Sequence, residues 1–393
     1  MRRKERHTAV RRRWLLCFFI LIAALLMKTT VLAEEEKTPS EIIKEAEESL
    51  LEELDTDEID KVLSSIYPGK RVRFQDVVTA LMDEEETISP KLLSDFVLDV
   101  LFGLIRDNRP AMMKILLLVI VSSVFTNFSS VFQSRQIADC AFYIVYTLLI
   151  TICLAGFSAM TDTVEEGLES LLLFMKVLSP TYFLCMAVAK GSISSLAFYQ
   201  LILILIYLVE LLVVRFVIPL VRVYLMVQIL NFLSGEEYLS KTGELLETVI
   251  SWVMKLMLTL VTGVGVIQGI LSPAVDQVKR NTLTKGAQMI PGIGDALGGM
   301  TEIVLGTAVL IKNAVGMAGA LLAVGICIFP ILNMAVVTLM YKLIAALIQP
   351  ISDRRIVEAV ASVGNACQML MKVVFTTAVL FLITIAVAAV STG

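Results

Sequence analysis

The sequence predicts an all-α fold: a polytopic helical membrane protein with broken or re-entrant helices and a small helical region outside the cytoplasm. The chain is 57% hydrophobic and only 18% charged, which is more apolar than an ordinary soluble domain. After Ala111 the apolar residues form runs of roughly twenty, the length that a helix needs to cross about 30 Å of hydrocarbon. The N-terminus has the layout of a secretory signal.

Residues 1–33 are predicted to be that signal peptide. Seven basic residues lie between Arg2 and Arg13, an apolar run covers 14–27, and Val31-Leu32-Ala33 supplies the short side chains of a cleavage site. The alternative is an uncleaved first membrane helix. Both interpretations place the chain from Glu34 onward outside the cytoplasm.

Residues 34–110 are predicted to form an acidic, helical, extracytoplasmic region. Residues 34–60 alone contain 13 acids and two lysines. We expect a short helix over about 57–66 and a longer one from Pro90 that ends near 107–110. The apolar face of the longer helix is suited to the membrane surface, to a partner helix or to the protein's own neighbouring helices.

Residues 111–393 are predicted to be the multispan membrane domain, with about seven spans. Two further apolar stretches, 220–233 and 331–349, follow prolines, and each is a span, a kinked continuation or a re-entrant piece. The count therefore ranges from six to nine. The predicted spans are 111–132, 139–160, 171–190, 196–219, 247–271, 303–329 and 367–390.

Loop charges predict an orientation. The segments 161–170 and 234–247 are acid-rich, whereas basic residues cluster over 279–285 after the fifth span. If positive residues stay inside, the acidic loops face outward and the basic segment faces the cytoplasm. This agrees with an extracytoplasmic N-terminal region.

Prolines and glycines predict where membrane helices break. A glycine pair at Gly265-x-x-x-Gly269 also suits close helix packing, so packing and breaking remain alternative roles for the glycines. The matched spacing of four prolines suggests duplicated units at about 175–270 and 287–390, with coincidence as the alternative. The candidate helix breaks are Pro180, Pro219, Pro291, Gly292, Gly294, Pro330 and Pro350.

Polar residues inside apolar runs are the candidate functional residues. Burying an unpaired charge costs several kcal/mol, so such residues pair with one another or line a polar path. Structural pairing and a translocation path are both open for this set. Its members are Glu210, Lys312, Asn313, Lys342 and Gln349.

Several function classes are disfavoured by composition. The only histidine is His7 inside the signal, so histidine-based metal sites and catalytic triads are not expected in the mature chain. The cysteines show no paired spacing, and no basic surface for nucleic acid remains. We expect no cofactor, no metal site and no enzyme activity.

Ordered motifs in the C-terminal half resemble the stage III sporulation protein AE family. They cover 260–390 by motif, and 111–260 matches by overall profile. The motifs are Gly265-Val266-Ile267-Gln268-Gly269, Ser272-Pro273-Ala274-Val275-Asp276 with Lys279-Arg280, Ile290-Pro291, Leu310 through Gly316, Phe329-Pro330, Tyr341-Lys342-Leu343 and Gln349-Pro350.

The resemblance implies a subunit of a channel- or secretion-like complex in the mother-cell membrane around the forespore, required during endospore formation. It implies ring-forming and ATPase subunits as partners. Membrane lipid is the partner expected from the apolar runs, and association with further copies of this chain stays open. Two hypotheses follow: a pore or permease-like component, or a non-conducting scaffold that docks the other subunits. The resemblance decides neither the transported species nor the role.

Overall fold

The computed structural model describes residues 56–66, 73–82, 90–131, 135–190, 192–234, 238–287 and 294–390. Every regular element in these ranges is a helix, which confirms the predicted class. The predicted signal and the candidate breaks Pro291 and Gly292 lie outside them. The elements are α1 Asp57–Ile66, α2 Phe74–Met82, α3 Pro90–Val131, α4 Arg135–Lys190, α5 Ser192–Leu208, a π-helix Val209–Val217, α6 Ile218–Ser234, α7 Ser240–Ala287, α8 Gly294–Ile348 and α9 Arg354–Val390.

Five helical stretches among the described residues are long and apolar enough to cross a membrane. They are Phe142–Ala189, Tyr199–Leu233, Ser240–Val264, Gly306–Ile348 and Arg354–Val387. The protein is therefore a helical membrane protein, and the described residues hold five candidate spans where about seven spans were expected over 111–393.

The two numbers differ for two reasons. The predicted spans 139–160 and 171–190 both lie in α4, and the predicted span 111–132, in α3, is not among the five. The further apolar stretch 331–349 continues α8 beyond the predicted span 303–329. Polar residues between two apolar runs do not end a helix when their charges are satisfied by neighbours. At 1.5 Å per residue, α4 with its 56 residues is roughly 84 Å long, more than twice the hydrocarbon thickness of about 30 Å.

The helix beginning at Pro90 was expected to end near 107–110, and the structure corrects this end. Helix α3 continues through Pro110 to Val131. Proline removes one backbone hydrogen bond, but a tertiary contact holds the segment: the Asn108 side-chain amide donates to Leu104 O at 2.9 Å and to Asn333 Oδ1 of α8 at 3.3 Å. The helix therefore crosses the expected domain boundary at 110.

Several candidate break positions lie within or beside continuous helices. Helix α4 runs through Pro180 and α8 through Pro330, so neither proline ends its helix. Gly294 is the first residue of α8, and Pro350 lies in the turn after α8 ends at Ile348. The basic segment 279–285, which was expected to follow the fifth span, is also helical and forms the last part of α7. Membrane helices tolerate prolines where neighbouring helices support the backbone.

The hairpin of α8 and α9 is the centre of the bundle. Helix α4 packs against both members, α3 packs against α4 and α8, and α6 and α7 pack against α9. Helix α5 lies against α4, and the two short helices α1 and α2 contact α4 and α8 respectively. The described part of the N-terminal region thus joins the same bundle.

Helices α1 and α2 are tied together by a helix cap. The carboxylate of Asp60 on α1 accepts the backbone N–H of Phe74, the first residue of α2, at 2.7 Å. A carboxylate at a helix N-terminus satisfies a free donor and complements the helix dipole. Ile59 and Phe74 are fully buried, so the cap sits beside an apolar contact.

Helices α4 and α8 pack antiparallel, with glycines of each helix facing larger side chains of the other. A Cβ added to Gly156 would lie 3.0 Å from Tyr341 Oη, and one added to Gly167 would lie 3.1 Å from Pro330 Cγ. Farther along, Gly319 faces Leu178. Each helix places its contact residues eleven positions apart, a spacing that keeps them on one face of a long helix. Glycine packing is therefore the observed role at these positions.

Candidate functional site

A π-helix interrupts the most apolar of the candidate spans, Tyr199–Leu233. Proline lacks an N–H, and its ring clashes with the carbonyl four residues earlier in an α-helix. Pro219 is the second residue of α6, just after this π-helix, and the N–H of Ile218 donates to Val213 O, five residues back. The wider turn gives the proline ring room. Such segments are rare and concentrate at functional sites.

The π-helix places Glu210 in a charged cluster with Lys176 and Arg215. The Glu210 carboxylate lies 3.2 Å from Lys176 Nζ of α4 and 3.4 Å from Arg215 Nη2. In an α-helix residues three or four apart share a face, but i→i+5 bonding stacks residues five apart. The π-helix therefore permits the Glu210–Arg215 pair. The three side chains are 36%, 48% and 71% exposed for Glu210, Lys176 and Arg215, so the cluster lies on the surface of the bundle.

Lys312 occupies a different environment, fully inside the bundle. Its side chain is 1% exposed, and Nζ lies 3.5 Å from the carbonyl oxygen of Ala389. Ala389 is the penultimate residue of α9, so its carbonyl is one of the last four that lack an intrahelical donor. The ammonium group therefore caps the negative end of α9.

The remaining candidates are exposed, on α8 or in the turn after it. Lys342 is exposed and donates from Nζ to Gln368 Oε1 of α9. Asn313 is exposed, and Gln349 is exposed in the turn after α8. Lys312 and Lys342 are 30 residues apart on one helix, or about 45 Å. The structure therefore does not bring the five candidates together, and their role in a path stays a prediction.

Sequence reasoning did not single out Asn333. It is 7% exposed in the middle of α8, where it accepts from Asn108 and donates from Nδ2 to Met160 Sδ at 3.8 Å. Helices α3, α4 and α8 therefore meet at one polar level. An amide inside an apolar run was the available signal, because a buried amide needs partners.

Arg222 was also not among the candidates. It lies on α6 and contacts two carboxylates of α4, Asp162 at 3.5 Å and Glu165 at 3.0 Å. These contacts neutralise part of the negative charge of 161–170, the acidic segment that had been expected to form a loop. Sequence alone offered no signal for a contact across 60 residues.

Asp353 caps the start of α9 and gives a pH-dependent prediction. Its carboxylate accepts from the backbone N–H and the guanidinium of Arg355 at 2.9 and 3.2 Å. Burial alone raises the pKa of Asp353, but the hydrogen bonds and charge of Arg355 outweigh it and lower the pKa below its ordinary value. This stabilisation is present above the unfolded-state pKa and is lost as pH falls through the folded-state pKa.

We expect Asp353→Ala to lower stability by about 1 kcal/mol through loss of the cap. Asp353→Asn keeps a cap acceptor but removes the titrating group, so its melting temperature should fall less with acidification than that of the wild type. Thermal melts in detergent from about pH 7 to about pH 3 measure both effects. Identical acid sensitivity in wild type and Asp353→Asn would contradict this assignment.

The described residues contain no group of three or more His, Cys, Asp or Glu side chains arranged to hold a metal ion. Cys153, Cys185, Cys327 and Cys367 are buried without disulfide partners, and Cys140 is exposed and free. The polar features of this part of the chain are thus ion pairs, amide contacts and helix caps.

Comparison with known proteins assigns the family. The profile of the family described as stage III sporulation protein AE matches residues 72–392. A curated protein named "Stage III sporulation protein AE", from Bacillus subtilis (strain 168), is 25% identical over 268 residues, covering 68% of this chain and 67% of the relative. No solved structure matches significantly. The family profile covers most of the bundle from α2 to α9, and the chain belongs to the stage III sporulation protein AE family.

Proposed function

We propose that this chain is a pore or permease-like subunit of a transport complex in the mother-cell membrane around the forespore, acting during endospore formation without enzyme activity. The observation that carries the proposal is the Lys176–Glu210–Arg215 cluster. Three ionised groups on partly exposed side chains occupy apolar candidate spans, where exposure to lipid is costly. A water-lined path through the assembly gives these charges the hydration they need.

The π-helix strengthens this proposal. A regular α-helix would orient Arg215 away from Glu210, so the chain maintains an uncommon backbone form where its charges meet. The i→i+5 hydrogen bonds keep the backbone groups paired within the segment, and π-helical turns are frequent at functional sites. Both features favour a polar path beside the π-helix.

A scaffold is the second candidate, and the lengths of the helices favour it. Helix α4 contains two membrane-length apolar stretches, 142–160 and 171–189, on either side of the level where Asp162 and Glu165 contact Arg222. A single crossing accommodates one such stretch. The other is then available to ring-forming and ATPase subunits or to further copies of the chain.

Glu210→Leu in a sporulating host separates the two functions. The substitution leaves the positive charges of Lys176 and Arg215 without their shared carboxylate. For a path component we expect near-normal protein level and complex assembly, with a marked loss of late forespore gene expression, because the path then has an unbalanced positive charge. For a scaffold, assembly itself fails.

Glu166→Gln is the matched control, because Glu166 is an exposed acid on α4. Its removal should change neither complex assembly nor late forespore gene expression. Glu210→Gln retains the size and polarity of the side chain and isolates the contribution of the charge. If Glu210→Leu behaves as wild type in level, assembly and gene expression, the charged cluster has no part in transport and the proposal fails.

A further inference from the structure

The exposed face of α9 is polar over one part of its length and apolar over the rest. Residues at alternating spacings of three and four share a helix face, and on α9 this face carries Asn365, Gln368 and Lys372, of which Asn365 and Lys372 are exposed. Farther along the helix the same face carries Val379, Leu382 and Ala386. We call Lys342, Asn365, Gln368 and Lys372 the polar lane.

Helix α8 contributes one residue, Lys342, to the polar lane. Lys342 donates to Gln368, and its aliphatic stem passes Gly364: a Cβ added there would lie 3.4 Å from Lys342 Cγ. The glycine lets the lysine chain lie across α9. Amide and ammonium groups from two helices therefore form one continuous surface, about 10 Å long between Asn365 and Lys372 at 1.5 Å per residue.

The surroundings of the lane are apolar and exposed. Leu339, Leu343 and Leu347 on α8 are 66%, 54% and 57% exposed, and Phe375 on α9 is 57% exposed. These side chains suit contact with lipid, whereas the two lysines and two amides of the lane, on the candidate spans of α8 and α9, do not. The contrast between the lane and its neighbours indicates that water reaches the lane.

The charge of the lane has one sign. Its ionisable members are Lys342 and Lys372, and the sequence contains no Asp or Glu after Glu358. Glu358 itself lies 3.9 Å from Arg354 at the start of α9. Fixed positive charges beside a low-dielectric wall raise the local concentration of anions.

We propose that the polar lane is a wall of an aqueous path that favours anionic small solutes. The proposal rests on the proposed transport function and specifies the solute class. Lys342 and Lys372 attract the anion, while Asn365 and Gln368 donate hydrogen bonds in place of its hydration shell. The path excludes cations by the same electrostatic effect.

The test uses Asn365→Cys in a full-length chain whose native cysteines are replaced, in membrane vesicles from sporulating cells. The probes are sulfonatoethyl methanethiosulfonate, an anion, and trimethylammonioethyl methanethiosulfonate, a cation, with rates normalised to those for a free thiol. We expect the anion to react faster on the order of tenfold, because two lysines lie nearby. Adding Lys342→Gln and Lys372→Gln should bring the ratio close to one.

Two control variants make the result decisive. Leu343→Cys lies next to Lys342 on the apolar exterior and should react with neither reagent, while Lys255→Gln on α7 should leave the ratio unchanged. Equal normalised rates at Asn365→Cys overturn anion preference but leave an aqueous path. Absence of reaction with both reagents shows that lipid or a partner covers the lane and overturns the inference, whereas the proposed function is decided separately by Glu210→Leu.

Discussion

Gly167→Leu is expected to cause the largest loss of stability among single substitutions between α4 and α8. A Cβ at this position would already lie 3.1 Å from Cγ and 3.5 Å from Cβ of Pro330. The proline ring is rigid and belongs to the backbone of α8, so it cannot rotate away as a flexible side chain would. Overpacking of this kind typically costs about 1–3 kcal/mol. Thermal melts in detergent and the amount of protein in the membrane measure the loss.

Gly306→Leu is the matched control, because nothing lies within 4 Å of a Cβ added there. Combining Gly167→Leu with Pro330→Ala removes the ring and should recover part of the stability. If Gly167→Leu melts at the same temperature as Gly306→Leu, the two long helices do not pack at this position.

Lys312→Glu is expected to prevent stable accumulation of the protein. The substitution places a carboxylate, fully buried, against the carbonyl end of α9, where Ala389 O lies 3.5 Å from the present ammonium group. Both the helix dipole and the carbonyl repel a negative charge. Leaving an uncompensated charge in a buried site costs about 3–5 kcal/mol. Immunoblots of membrane fractions and melts of any purified protein give the outcome.

Lys312→Met separates folding from function at the same site. Methionine has a similar length and no charge, so it fills the same space without placing a negative charge against the carbonyl end of α9. We therefore expect near-normal accumulation of Lys312→Met. Wild-type accumulation of Lys312→Glu would show that the site is open to water or acts as a polar path, contrary to the cap at α9.

The membrane class followed from the sequence because apolar runs and helix length are local properties. The short helix over 57–66 was placed correctly for the same reason: its apolar residues recur at helical spacing and a turn signal follows it. Whether a helix ends between two apolar runs was harder to predict from the sequence. Acidic residues over 161–170 and Pro110 look like boundaries in sequence, yet Arg222 and Asn333 supply the partners that let α4 and α3 continue.

The candidate residues illustrate the same limit. A search for charges inside apolar runs found Glu210, Lys312 and Lys342, since a charge in such a run is conspicuous. It could not separate a surface cluster around Glu210 from a buried cap at Lys312, because their partners are 34 and 77 residues away in sequence. Exposure and partner identity depend on how helices dock.

The sequence by itself determined that this is an all-helical membrane protein with the motifs of the stage III sporulation protein AE family. Hydrophobicity, helical periodicity and proline positions are local properties, which can be read from each short stretch of sequence. Only the tertiary structure decided which apolar runs merge, that a π-helix pairs Glu210 with Arg215, and that Lys312 caps α9. Those outcomes depend on contacts between distant residues, whose energies offset the local cost of prolines and charges.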